Sequence, residues 1–176
     1  MIGGTQYEKL KQAVFGAGAD VFAVLDGAQV ADLPARLQAL EATCLFAGDL
    51  DPMLRAAAPH LVRIQPDSAG CRLLLQEGWN AHWGIALLAE RGTRLDAVRN
   101  QLRRNLKVRG PDGNALFFRF YDPRAFRTVL PTMDQAQRTA FYGPLLGCWV
   151  EGRTPDTALF YSRAGGEPRV APIHAG

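Results

Sequence analysis

Four side chains that could do chemistry fall within one short run, Leu116-Phe117-Phe118-Arg119-Phe120-Tyr121-Asp122-Pro123-Arg124. Arg119 interrupts an aromatic stretch, and Tyr121, Asp122 and Arg124 follow it closely. An arginine in a buried strand needs a carboxylate or carbonyl partner, and Asp122 is the nearest carboxylate in sequence. Two roles are open to the group. It locks a corner of the fold as a structural clamp, or it stands outside as a recognition corner for another protein. The residues offered to a partner would then be Arg119, Tyr121, Asp122 and Arg124.

A second polar concentration lies just upstream. Arg99, Arg103, Arg104, Lys107 and Arg109 crowd the second half of a helical pattern that starts near Thr93. A helix dipole favours cations near its C-terminus, so a solvated face accounts for part of the cluster. The other reading is a docking patch for an acidic partner, carried by Arg99, Arg103, Arg104 and Lys107. On that reading, reversing Arg103 and Arg104 to glutamate weakens partner capture with little change in Tm. Asp26 closes an apolar run; it is a turn residue, or a site residue at the end of a strand lining a crevice.

Patterned catalysis is not found. The chain carries no nucleophile elbow, phosphate loop or zinc spacing. Gly16 and Gly18 precede their strand and lack a third glycine, which is not a dinucleotide fingerprint. His60, His82 and His174 are scattered, with no pair at i, i+4. A Cys–His dyad would have to meet in space, and paired carboxylates of a sugar-cleaving site leave no local signature.

The elements that must hold these groups follow from pattern. Gln6–Phe15 is an amphipathic helix closed by Gly16-Ala17-Gly18. Val21–Leu25 is apolar throughout, as in a strand covered on both faces. Asp32-Leu33-Pro34 opens a helix with Asp32 as its cap, and Asp51-Pro52 opens another that Pro59 ends. Cys44–Phe46 is a second strand, Leu61–Ile64 a half-exposed one, and Trp83–Leu88 a central one. Thr93 caps the basic helix, with Asp96 as its capping-box acid and Leu95, Val98, Leu102 and Leu106 as its core stripe. Pro111-Asp112-Gly113-Asn114 turns into a strand from Leu116 to Tyr121, which Asp122-Pro123 stops while capping the next helix. Asp134 caps a helix ending at Phe141. Leu146–Val150 and Ala158–Tyr161 form a late hairpin, and the Gly-, Pro- and charge-rich stretch from Arg163 reads as a loose tail.

The fold expected is α/β or α+β: a mixed β-sheet flanked by helices, in one domain with a late β-hairpin. Its parts are a main body over 1–145, the hairpin over 146–162 packed on the same body, and the tail over 163–176. One domain suits 176 residues, and 48% hydrophobic content suffices for a core. No apolar run reaches the ~20 residues of a membrane helix, and Met1–Lys11 lacks a signal-peptide layout. Three cysteines without a CxxC fit buried free thiols in a reducing compartment, so a cytoplasmic protein is expected. The net charge of +3 is uneven: residues 1–88 sum to −3 and residues 89–176 to +6. The basic half suits an acidic partner surface or, more weakly, nucleic acid.

Six blocks in order carry a resemblance. Val24-Leu25-Asp26-Gly27-Ala28, Leu45-Phe46-Ala47-Gly48 with Ala58-Pro59-His60-Leu61-Val62, Trp83-Gly84-Ile85, Pro111-Asp112-Gly113, the Leu116–Arg124 run, and Phe141-Tyr142-Gly143-Pro144 span about residues 20–145. Together the chain resembles the effector-adaptor chaperones of type VI secretion, a family long filed as a domain of unknown function. That resemblance implies an unsecreted cytoplasmic adaptor. It would hold a cognate secreted effector, a toxin, and help load it onto the spike protein of the secretion machine. No enzymatic activity, metal or other cofactor is implied, and neither nucleic acid nor membrane is expected as a partner. Longer members carry a further, mostly helical lobe beyond this point, so effector choice made by that lobe would be absent or made differently here. The alternatives are a nucleic-acid-binding module using the basic half and a small enzyme with a non-local site.

Overall fold

A computed structural model describes residues 1–110 and 112–174. Its strands are β1 (Asp20–Asp26), β2 (Ala42–Cys44), β3 (Pro59–Ile64), β4 (Gly84–Ala89), β5 (Lys107–Arg109), β6 (Ala115–Phe117), β7 (Leu145–Glu151), β8 (Thr157–Ser162) and β9 (Arg169–Pro172). Seven of them form one sheet in the order β2-β3-β1-β4-β7-β8-β9, and β5 pairs with β6 in a separate ribbon. The helices are α1 (Gly4–Phe15), α2 (Leu33–Arg36), α3 (Pro52–Ala57), α4 (Ala69–Arg72), α5 (Leu95–Asn105), α6 (Pro123–Val129) and α7 (Gln135–Tyr142).

Of the two classes expected, α+β is observed, as one body with helices against a large sheet and the late β7–β8 hairpin in place. Every recorded pairing is antiparallel. The expected mixture of directions rests on an element order that mixes βα units with antiparallel candidates, alongside apolar runs read as strands covered on both faces. Helices on each side of an antiparallel sheet give the same burial. Val21, Ala23 and Leu25 of β1 point into a core built with α1, Leu33, Leu37, Leu74 and Trp79. Phe22 and Val24 point the other way, into a core built with α5, Phe120, Phe126 and Phe141. β3 is likewise buried except at Arg63, where half-exposure was expected along the whole strand.

Several local readings are corrected. Asp32 sits in the left-handed region at φ 53° and makes no side-chain cap, and α2 lasts four residues. Thr93 does not cap α5; its hydroxyl donates to the Glu90 carbonyl, and Asp96 pairs with Arg94 instead of closing a capping box. The strand expected from Leu116 to Tyr121 ends at Phe117. Phe120 and Tyr121 are neighbours, 0% and 2% exposed. An extended strand would send them to opposite faces; a bend, closed by Asp122 N–H donating to the Arg119 carbonyl at 3.0 Å, sends both inward.

The tail from Arg163 is not loose through its described part. β9 pairs with β8, the Arg169 guanidinium lies 5.1 Å from the Trp149 ring and 5.2 Å from that of Phe160, and Ile173 is fully buried. Pro111 of the expected turn, and Ala175 and Gly176 of the tail, lie outside the described residues. Among the described residues, no helix is long and apolar enough to cross a membrane.

Candidate functional site

The corner around Arg119 is built by three distant parts of the chain. β1 ends on Asp26, whose side chain is 1% exposed. One carboxylate oxygen accepts the Ala28 N–H at 3.0 Å, which turns the chain out of the strand. The other accepts Nη2 of Arg119, so the arginine's partner is Asp26 and not Asp122. Burial opposes the charge on Arg119, and the Asp26 carboxylate more than offsets it, raising the guanidinium's pKa. The same guanidinium carbon sits 5.9 Å from the centre of the Tyr121 ring. Burial, with the Asp26 charge added, pushes the Tyr121 phenol up to about 12.

Asp122 has separate work. It caps α6 through the Arg124 N–H at 2.9 Å and holds the Arg124 side chain in a fork, at 3.0 Å to Nε and 2.8 Å to Nη2. Burial would raise its pKa, but the Arg124 contacts together leave it below the usual carboxylate range. Beneath the corner, Phe120, Phe126, Phe141, Tyr142 and Tyr161 meet edge to face at 5.3–6.0 Å. Such pairs contribute about 0.5–1.5 kcal/mol each beyond their buried area. Arg119, Tyr121 and Asp122 are thus engaged within the fold, and the two arginines, with side chains 41% and 53% exposed at Arg119 and Arg124, are the parts of the corner that reach solvent.

The basic helix divides in the same way. Arg103 donates to three backbone carbonyls, those of Leu45 at 3.0 Å and of Cys44 and Phe46 at 3.2 Å. It ties α5 to the edge strand β2, so reversing its charge would disturb the fold, contrary to the expected neutrality of that change. Arg99 is half-buried; its Nε is shut off from solvent and has no acceptor among the described residues. Arg104 and Lys107 are exposed. The Arg109 side chain lies outside the described residues.

A surface the sequence reading missed lies at the head of the same run. Leu116 and Phe117 of β6 are 49% and 52% exposed. Lys107 stands opposite Phe117 on the β5–β6 ladder, and Phe117 touches Phe46 edge to face at 5.6 Å. Phe46 in turn lines a groove of about 420 Å³ beside β2, with Leu40, Leu50 and Arg55. Arg55 belongs to α3, which buries no side chain and leaves Met53 83% and Leu54 44% exposed. The aromatic spacing of Leu116-Phe117-Phe118 gave no sign of this, because a strand assignment puts alternate residues in the core whichever face it chooses.

The scattered histidines stay apart. His82 bonds Glu151 at 2.6 Å, His60 faces the Ala58 carbonyl at 3.0 Å, and His174 is exposed. Cys44 stands across the β2–β3 ladder from His60, with no hydrogen bond joining them. Cys71 lies 3.5 Å from the Tyr7 hydroxyl, and all three cysteines are free thiols. No group of three His, Cys, Asp or Glu residues among the described residues could hold a metal ion.

A family model described as a domain of unknown function, DUF4123, matches residues 21–140. No curated protein matches the chain, and no solved structure does.

Proposed function

The chain belongs to the DUF4123 domain family, and from that premise we propose that it is a cytoplasmic adaptor of type VI secretion. It binds a cognate toxin before export and helps load it onto the spike protein. The observation that carries this reading is the apolar ribbon at the head of the Leu116–Arg124 run. Leu116 and Phe117 are exposed on a two-stranded hairpin, with Lys107 opposite Phe117 and Arg104 exposed near the end of the preceding helix α5. Aromatic residues with a cationic rim are what a protein interface uses: the apolar centre supplies affinity and the rim selects the partner. Specific complexes bury about 1,200–2,000 Å² in total; the ribbon, Phe46 and the groove that Phe46 lines offer apolar surface on that side.

The nucleic-acid alternative is less well supported, because much of the basic half is consumed internally. Arg103 serves backbone carbonyls, and Arg119 and Arg124 serve carboxylates.

The test is co-expression with the products of neighbouring toxin and spike genes. The wild-type chain is expected to co-elute with one toxin as a defined complex. Phe117→Glu should lose at least tenfold in capture with Tm lowered by no more than about 4 °C, the loss of its one edge-to-face contact with Phe46. A folded variant that captures normally removes the ribbon from the interface. If no neighbouring toxin associates, the adaptor reading fails.

A further inference from the structure

At the far edge of the sheet, beyond α6 and α7, the face of β8 and β9 is left open as a trough of about 760 Å³. Leu159, Tyr161 and Val170 form its floor. Leu159 and Val170 face each other across the ladder, and Val170 is 58% exposed. The trough runs from the turn at Arg153 and Thr154 to the turn at Gly166 and Pro168. That is the length of β8, roughly 20 Å for a strand rising ~3.3 Å per residue. A compact metabolite does not fill such a span; an extended chain does.

Its charge is one-sided. Arg127, Arg138 and Arg153 stand around the floor, against Glu167 as the acid among its lining residues. Arg127 is held by donating to the Glu151 carbonyl at 2.6 Å, at the end where Arg153 also lies. Arg138 is held by the Met133 carbonyl at 2.9 Å and lies against Gly165, towards the other end. Its Nε is shut off from solvent with no acceptor among the described residues. Cations at both ends of an apolar floor complement a segment with apolar side chains between carboxylates.

The edge itself opposes pairing with an added strand. Ile173 N–H donates to the Asp156 carbonyl, which fixes the alternation of the β8–β9 ladder. Positions 168, 170 and 172 therefore point their backbone groups away from β8. Two of these are Pro168 and Pro172, which have no N–H to give. Recognition has to come from side chains.

We propose that this trough binds an extended acidic segment of a partner protein, apolar side chains on Leu159 and Val170, carboxylates on Arg127, Arg138 and Arg153. The trough lies at the β9 edge and the apolar ribbon beyond the β2 edge, so the two surfaces are separate. Failure here leaves cargo capture through the ribbon untouched.

The test is a ¹⁵N NMR titration of the full chain with a capped Glu-Ser-Val-Ser-Val-Ser-Glu peptide, which in extended form turns two valines and two flanking carboxylates to one face. Its lysine counterpart and a single-stranded dT12 oligonucleotide are titrated alongside. The acidic peptide should give saturable shifts in the amides of residues 153–170 and bind at least tenfold more tightly than the lysine peptide. Arg138→Glu/Arg153→Glu should weaken it at least tenfold. Val170→Glu, at an exposed side chain, should do the same and serves if the double variant does not fold. Shifts elsewhere on the molecule, equal binding of the lysine peptide, or unaltered binding by the folded variants would overturn the proposal. So would dT12 binding as tightly to the same residues, which would make the trough a site for backbone phosphates.

Discussion

Phe117 and Phe120 are three positions apart in one aromatic run, yet the first is 52% exposed on a hairpin and the second fully buried. The half of the run that contains Phe120 is bolted down. Arg119 reaches Asp26, Asp122 caps α6 and grips Arg124, and five aromatic rings interlock below. The half that contains Phe117 is a short ribbon whose outer side chains meet solvent. A motif recognisable as one unit therefore contains a fastening and a surface. Alteration of the first should act on stability, and alteration of the second on association. Basic residues repeat the lesson within α5, where Arg103 is an anchor and Arg104 is free to face a partner.

The division can be tested from the strongest effect downward. Asp26→Ala leaves the part-exposed Arg119 and the Ala28 N–H without their carboxylate and should destabilise the fold by about 2–3 kcal/mol in urea denaturation, as loss of a charged hydrogen-bond acceptor does. A loss below about 1 kcal/mol would mean that the corner is not a fastening. Arg103→Ala deprives three carbonyls of their donor and should cost about 1–3 kcal/mol, against no measurable change for Arg104→Ala. Equal effects would erase the contrast within α5. Asp122→Ala removes an N-cap and should cost about 1 kcal/mol. If that variant keeps its stability but loses cargo, the corner is a recognition site after all.

A smaller effect concerns pH. Burial disfavours the charged form of His60, the Ala58 carbonyl partly opposing, and the net result lies below the ordinary histidine range. The unfolded chain takes up a proton near pH 6.5 while the folded chain does not. Stability should therefore fall as pH drops below about 6.5 towards the folded value, and should be fully present above it. His60→Gln should flatten Tm between pH 7.5 and pH 5; an unchanged slope would assign the loss to other groups. The smallest stability effect is expected for Leu116→Glu, with Tm unchanged within error.

What was legible in the chain was local. Asp51 caps α3 and Asp134 caps α7 as read; each acts over three residues, so type and spacing suffice. The apolar run Val21–Leu25 announced a strand with two covered faces, and β1 lies inside the sheet with a core on each side. The partner of Arg119 was not legible, because Asp26 is 93 positions away and Asp122 three. Strand β9 was hidden by its own composition. It is secured by stacking of Arg169 on rings and by burial of Ile173, neither of which leaves a period of two. The exposed ribbon escaped notice because apolar residues are assigned inward by default, although folded proteins keep much apolar surface outside.

The position of β1 has a consequence for synthesis. Its neighbours, β3 and β4, begin at Pro59 and Gly84. At about 5–20 residues per second on the ribosome, the second of these follows β1 by several seconds. Throughout that interval Val21–Leu25 travels as a bare, sticky strip with a vacant flank. Asp26 waits longer still, until Arg119 emerges. The nascent chain is accordingly most vulnerable to clumping early, and a helper that shields its first thirty residues should raise soluble yield more than any change near the C-terminus.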